Sequence, residues 1–195
     1  MAFLRSVPLA DTGPILRGEH VWMRPPQMAD HAEWAALRGA SAAFLRPWEP
    51  EWAGDELSRS AFRRRLRYYQ RDMRDGSGYA FFLFRIGDSK LLGGITLSNA
   101  RRGVSQSISI GYWIGAPYSR QGLMTSAVSS VIPFAFDTLG FHRLEAACLP
   151  SNVASRKLLE NCGFQYEGLA RHYLKINGEW QDHLLYAVIA DDARR

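Results

Sequence analysis

The stretch Ile110-Gly111-Tyr112-Trp113-Ile114-Gly115-Ala116-Pro117-Tyr118-Ser119-Arg120-Gln121-Gly122-Leu123-Met124-Thr125 combines a strand pattern, a loop and the start of a helix. Backbone N–H groups from Ser119 to Thr125 can converge at the positive end of that helix, an arrangement able to hold an anion such as a pyrophosphate. The plainer alternative is an ordinary strand-to-helix turn in which Gly122 only relieves crowding. A second segment, Arg143 to Phe164, carries Asn152 and Ser155 at the start of another helix. Asn152 is either a helix cap, worth about 1 kcal/mol, or a cap that also touches a ligand. Ser155, a hydroxyl in the first turn of that helix, fits local backbone chemistry. Glu145, set between apolar neighbours on a strand, is a salt-bridged structural carboxylate or a base acting through water.

Other residues offer weaker signals. Phe44, Trp48 and Tyr112 are core aromatics or the walls of a pocket. Arg59, Arg63, Arg64, Arg65, Arg67, Arg71 and Arg74 make one helix strongly basic, which gives a solvated face or a surface for RNA or an acidic substrate. Cys148 and Cys162 form no Cys-x-x-Cys pair, and His20, His31, His142, His172 and His183 show no metal-ligand spacing. No metal site is expected. No histidine is spaced to activate Cys148, so an acyl-cysteine route is not expected either.

These residues need a scaffold. His20 to Arg24 predicts a first strand, Ala29 to Leu37 a helix, and Phe44 to Pro50 a loop broken by its prolines. From Asp55 to Arg74, Leu57, Ala61, Phe62, Leu66, Tyr69 and Met73 recur at helical spacing. Tyr79 to Ile86, Leu91 to Ser98 and Gln106 to Ile114 predict an antiparallel meander. A helix follows Gly122, kinked or shortened by Pro133. Then come a strand from Arg143 to Leu149, a helix from Asn152 to Cys162, and two strands around Asn177-Gly178. The order predicts an α+β fold on one mixed sheet.

Length and composition agree with one domain over residues 1–195, because 195 residues at 47% hydrophobic suffice for one buried core. No run is long and apolar enough to span a bilayer, and Met1 to Arg17 lacks the apolar centre of a secretory signal, so the expected location is cytoplasmic. The net charge of +5 suits an anionic ligand or a ribosomal surface and decides neither. Oligomeric state is not legible.

Together, segments 110–125 and 143–164 resemble the cofactor-binding core of the GNAT acetyltransferases. Phe44 to Pro50, Ser98 to Gly103 and Tyr173 to His183 extend the resemblance to RimJ-type ribosomal-protein-alanine N-acetyltransferases, over a core of about 16–188. The resemblance implies a mostly antiparallel sheet, flanked by helices and splayed between its fourth and fifth strands, with acetyl-CoA between them. Ile114 would bond the pantetheine through its main chain. Ser119, Arg120, Gln121, Gly122, Leu123, Met124 and Thr125 would hold the pyrophosphate, and Asn152 would reach the pantetheine arm. Ser155 would sit beside the sulfur as proton donor, with Glu145 as candidate base. Phe44, Trp48, Glu49, Asn99, Tyr112 and Tyr173 would line the acceptor site.

The acceptor implied is the N-terminal α-amino group, on alanine, of a ribosomal protein. The arginine-rich helix 55–74 offers a ribosome contact. Small-molecule amines and a non-catalytic, RNA-associated role are the alternatives. Two departures stand out: Ser119 and Met124 replace the usual Gln/Arg and Gly/Ala of the phosphate loop, and Ser109 stands where RimL-type relatives often carry a glutamate.

Overall fold

The computed structural model describes residues 13–192. Strands form at Leu16–Arg17 (β1), Val21–Arg24 (β2), Tyr79–Arg85 (β3), Leu91–Arg101 (β4), Ser107–Ile114 (β5), Arg143–Cys148 (β6), Gln165–Ile176 (β7) and Glu179–Ile189 (β8). They make one sheet in the order β1-β2-β3-β4-β5-β6-β8-β7. Every neighbouring pair is antiparallel except β5 and β6.

The parallel pair is incomplete. β5 and β6 are in register only at Ser107–Arg143, Ile108–Leu144 and Ser109–Glu145. Beyond Ser109, β5 continues to Ile114 bonded to β4 alone, and β6 continues to Cys148 bonded to β8 alone. The facing edges therefore carry backbone donors and acceptors that the sheet leaves open, which a ligand can satisfy. This is the opening expected between the fourth and fifth strands, now β5 and β6 because β1 precedes them.

Side-chain alternation gives the sheet two apolar faces. Met23, Phe81, Leu83, Ile108, Ile110, Leu144 and Tyr186 pack with Ala127, Val128 and Val131 of helix α4 (Leu123–Pro133) and Leu159 of α5 (Val153–Asn161). On the other face Trp22, Phe82, Phe84 and Trp113 meet Trp34 of α1 (His31–Ala40), and Phe62 and Leu66 of α3 (Arg59–Asp75). Covering both faces explains why Tyr79–Arg85 reads as a nearly continuous apolar run rather than an alternating one. Trp34 and Phe62 are buried with ring centroids 4.7 Å apart, and truncating either to alanine should cost about 3–5 kcal/mol.

Some elements differ from expectation. β1 is too short to show a sequence period. The segment expected as a loop over Phe44 to Pro50 instead contains the end of a short helix, α2 (Ala42–Leu45), and a 3-10 turn at Arg46–Trp48. Pro47 is accommodated because the first turn needs no N–H from it. α3 begins later than Asp55, where the Ser58 hydroxyl accepts from the Ala61 N–H at 3.1 Å. Pro133 ends α4, and a π turn over Phe134–Thr138 takes up the chain.

Candidate active site

The end of β5 is fixed from the α1 side. Gly115 donates to the Leu92 carbonyl at 2.8 Å, and Ala116 donates to the buried Ser41 hydroxyl at 2.9 Å. A Cβ on Gly115 would lie 2.4 Å from Leu37 Cδ1, so glycine is what lets α1 press against the strand end. The chain then turns through Ala116–Tyr118 into α4. Ser119 donates its hydroxyl to the Ala116 carbonyl and Gln121 its amide to the Pro117 carbonyl, each at 2.9 Å. Both side chains serve their own loop, so an anion here would meet backbone N–H groups.

Arg120 and Gly122 adopt left-handed conformations, φ 59° and 75°, and Gly122 is the residue preceding α4. Leu123 and Met124 bury their side chains, while their N–H groups and that of Thr125 have no intrahelical acceptor. Met124, a departure from the family loop, thus fills the core without obstructing the loop. Beside this turn lies an open groove of about 630 Å³, bordered by Gln121, Gly122, Thr125, Ser129 and Asn161. Open strand edges leading to a helix N-terminus and a groove fit a long ligand with an anionic centre, as acetyl-CoA is.

Across the opening, Asn152 caps α5, its side-chain oxygen accepting from the Ser155 N–H at 3.0 Å. Ser155 Oγ lies 2.7 Å from the Tyr112 hydroxyl. Burial pushes the Tyr112 phenol well above its ordinary value, the bond to Ser155 opposing in part. Burial likewise pushes up the Cys148 thiol at the end of β6, with the neighbouring Ser155 hydroxyl offsetting some of the effect. Both shifts favour the protonated phenol and thiol at physiological pH. The structure places Tyr112, expected in the acceptor wall, in contact with Ser155.

Glu145 is not with them. Leu144, Ala146 and Cys148 point into the α4–α5 core, so Glu145 projects from the opposite face. It pairs in register with Ser109, at the closed end of the β5–β6 ladder. Its carboxylate is engaged by Arg101 and by Arg143 Nε at 2.9 Å. Arg143 in turn bonds Glu167 at 2.8 Å and holds that carboxyl below its ordinary range. The ion-pair reading of Glu145 is the one its geometry favours.

On the acceptor side, Phe44, Trp48 and Tyr173 are exposed, and the Tyr173 ring meets His183 edge-on at 5.9 Å. Glu49 is committed elsewhere: Arg38 donates to both its oxygens, at 3.0 and 2.5 Å, and Trp52 Nε1 adds a bond of 2.8 Å. Asn99 occupies a bulge at φ 56°, near the Ser107 end of β5. Gly93, which pairs with Ile114, lies roughly 20 Å away along β4, so Asn99 is separated from this mouth.

Sequence reading passed over Arg38 and Ser41, both buried. For Arg38 and Ser41 a signal exists, because they share the apolar stripe of α1 with Trp34 at helical spacing, and a charge there demands a partner. Among the described residues no three His, Cys, Asp or Glu side chains gather as a metal site. No helix among them is long and apolar enough to cross a membrane.

A strand pair opens toward a helix N-terminus, with the Tyr112 and Ser155 hydroxyls at the opening, a shape that can take an elongated anionic ligand. Residues 20–165 match the acetyltransferase (GNAT) domain model, and the chain belongs to that family. It is an N-acetyltransferase of the acetyl-CoA-dependent GNAT type. The probable N-acetyltransferase YjcK of Bacillus subtilis (strain 168) is 34% identical over 178 residues, covering 91% of this chain and 98% of that protein. The [ribosomal protein uS5]-alanine N-acetyltransferase of Escherichia coli (strain K12) is 35% identical over 149 residues, 76% of this chain and 77% of that one. Mycobacterium smegmatis RimJ, solved in complex with CoA-disulfide, superposes with a TM-score of 0.86 at 31% identity, over 96% of this chain and 91% of that one.

Proposed function

We propose that this enzyme acetylates the N-terminal α-amino group of a ribosomal protein beginning with alanine, in the cytoplasm. The observation that carries the reading is the open β5–β6 edge, set in a chain similar along most of its length to RimJ and to the uS5-alanine enzyme. Acetyl-CoA supplies the acetyl group as an activated thioester. The Ile114 backbone holds the pantetheine arm, Asn152 borders it, and the N–H groups from Ser119 to Thr125 receive the pyrophosphate. The neutral amine forms the C–N bond as the C–S bond breaks; Ser155 hands its proton to the departing sulfur, and the proton shed by the attacking nitrogen returns to the Ser155–Tyr112 pair across their 2.7 Å bond, so both hydroxyls end protonated. Phe44, Trp48 and Tyr173 form the walls met by the acceptor.

The mouth favours an amine that needs little help losing its proton. Glu49, beside it, is held by Arg38, and Glu145, at the closed end of the β5–β6 ladder, is held by Arg101 and Arg143, so neither offers a free base there. With a pKa of about 8, roughly a tenth of an α-amine is neutral at pH 7, against less than about one in a thousand for lysine near 10.4.

The ribosome contact is assigned to α3. At about 100° per residue, Arg59, Arg63, Arg67, Arg71 and Arg74 fall on one exposed flank roughly 22 Å long. Arg64 and Arg65 are instead paired with Asp55 and Glu56. The intact mass of alanine-starting ribosomal proteins after incubation with enzyme and acetyl-CoA tests the proposal. A gain of one acetyl group, mapped to residue 1 of the substrate, is expected; acetylation confined to lysines would refute it.

A further inference from the structure

The Arg38–Glu49 pair lies off the path of the acetyl group, yet it links the two sides of the β5–β6 opening. On one side, α1 is fixed to the end of β5. Arg38 packs over Trp113 at 5.0 Å, Leu37 abuts Gly115, and Ser41 accepts from Ala116. On the other side stands the β7–β8 hairpin, whose inner strand is bonded to β6 up to Leu184–Cys148. The hairpin turn, Asn177-Gly178, has both residues at positive φ, 46° and 86°, and Asn177 directs its N–H out of the hairpin to the Glu49 carbonyl at 2.9 Å. The segment around Glu49 therefore connects the β5 lip to the β6–β8 lip.

Its position is set by a single guanidinium. Arg38 is 4% exposed, grips the Glu49 carboxylate with two donors, and lies over Trp52 at 4.5 Å and Trp34 at 5.9 Å. Trp52 Nε1 completes the hold on the same carboxylate. The Arg38 Nε is buried with no hydrogen-bond partner among the described residues, a cost that this site bears to keep a forked cation there. Lysine could neither span both oxygens nor stack flat on indole rings.

We infer that Arg38 is a positioning residue for the acceptor. Through Glu49 it holds a strap across the mouth of the opening, so that the peptide entering between Trp48 and Tyr173 meets a preformed wall. The inference rests on the peptide-acceptor reading for its effect on kinetics but not for its structural content. The β5 end beside Ile114 is held by the Gly115–Leu92 and Ala116–Ser41 bonds, which depend on neither Arg38 nor the Glu49 side chain, so acetyl-CoA affinity should change little when the strap is loosened.

The test uses the full chain with Arg38→Lys, Glu49→Gln, and the double change Arg38→Met with Glu49→Leu, which removes both charges together and protects against simple loss of folding. Hydrogen exchange across residues 171–182 should quicken about tenfold in the single variants, the scale of one lost hydrogen bond. KM for an alanine-starting peptide should rise about tenfold or more while the acetyl-CoA Kd, by calorimetry, stays within about twofold. The double variant should fold and show the same KM defect. Unchanged exchange in the hairpin, or a parallel loss of acetyl-CoA affinity, would overturn the inference. If the unmutated enzyme acetylates no peptide N-terminus, the acceptor reading fails, while the exchange result still decides for or against the strap.

Discussion

Ser155 has two bonds that separate its roles. Its N–H completes the Asn152 cap, which any residue's backbone can do, whereas its hydroxyl contacts Tyr112. Ser155→Ala should therefore leave α5 capped and acetyl-CoA binding intact, while turnover falls by about 10²-fold, the scale of a lost general acid. Steady-state rates beside a binding isotherm check this, and an unchanged kcat with chemistry limiting would remove Ser155 from proton transfer. Tyr112 adds a pH signature. Its folded pKa is raised by burial, so the stability it contributes is fully present below about pH 10 and is lost as pH climbs toward the folded value. Tyr112→Phe has nothing to ionise, so denaturant curves should show its stability deficit narrowing above that pH. A deficit constant through that range would contradict the assignment.

At the scale of elements, α3 gives the clearest test. Its apolar side, Phe62 and Leu66, packs on the sheet, leaving the arginine flank outward with Tyr68 exposed beside Arg71 at 5.2 Å. If that flank holds RNA phosphates, replacing Arg63, Arg67 and Arg71 by glutamine should flatten the slope of log K against log salt by about 2–3. Filter binding with a ribosomal RNA fragment measures it, and an unaltered slope would return the flank to solvent. Much of this level was legible in the sequence. The helical period from Ala61 to Met73, the meander and the starts of α4 and α5 all followed from local spacing. What was not legible depended on partners distant in the chain. Glu145 alternates like any strand residue, and only the fold brings Arg101 and Arg143 to its carboxylate. Glu49 looked available because its partner, Arg38, lies on another helix. Asn99 shared a resemblance segment with no indication that β4 would carry it to the far end of the sheet.

For the molecule as a whole, one broken ladder organises the site. β5 and β6 separate after three paired positions, α4 and α5 present their N-termini at the widening, and α1 with the β7–β8 hairpin closes over the opposite face. In the function we propose, donor and acceptor approach from different sides of one sheet and meet where its backbone is unpaired. The match over residues 20–165 shows the family, whereas the acceptor we propose rests on charge: the carboxylate at the mouth, Glu49, is neutralised by Arg38, which suits an amine of low pKa. A competition assay tests that claim most directly. An alanine-starting peptide, the same peptide N-terminally blocked but containing lysine, and a polyamine are offered at equal concentration with acetyl-CoA, and products are resolved by mass. The account predicts acetylation of the free α-amine, with the other two essentially unmodified. Modification of the blocked peptide or the polyamine, with the free N-terminus untouched, would contradict it.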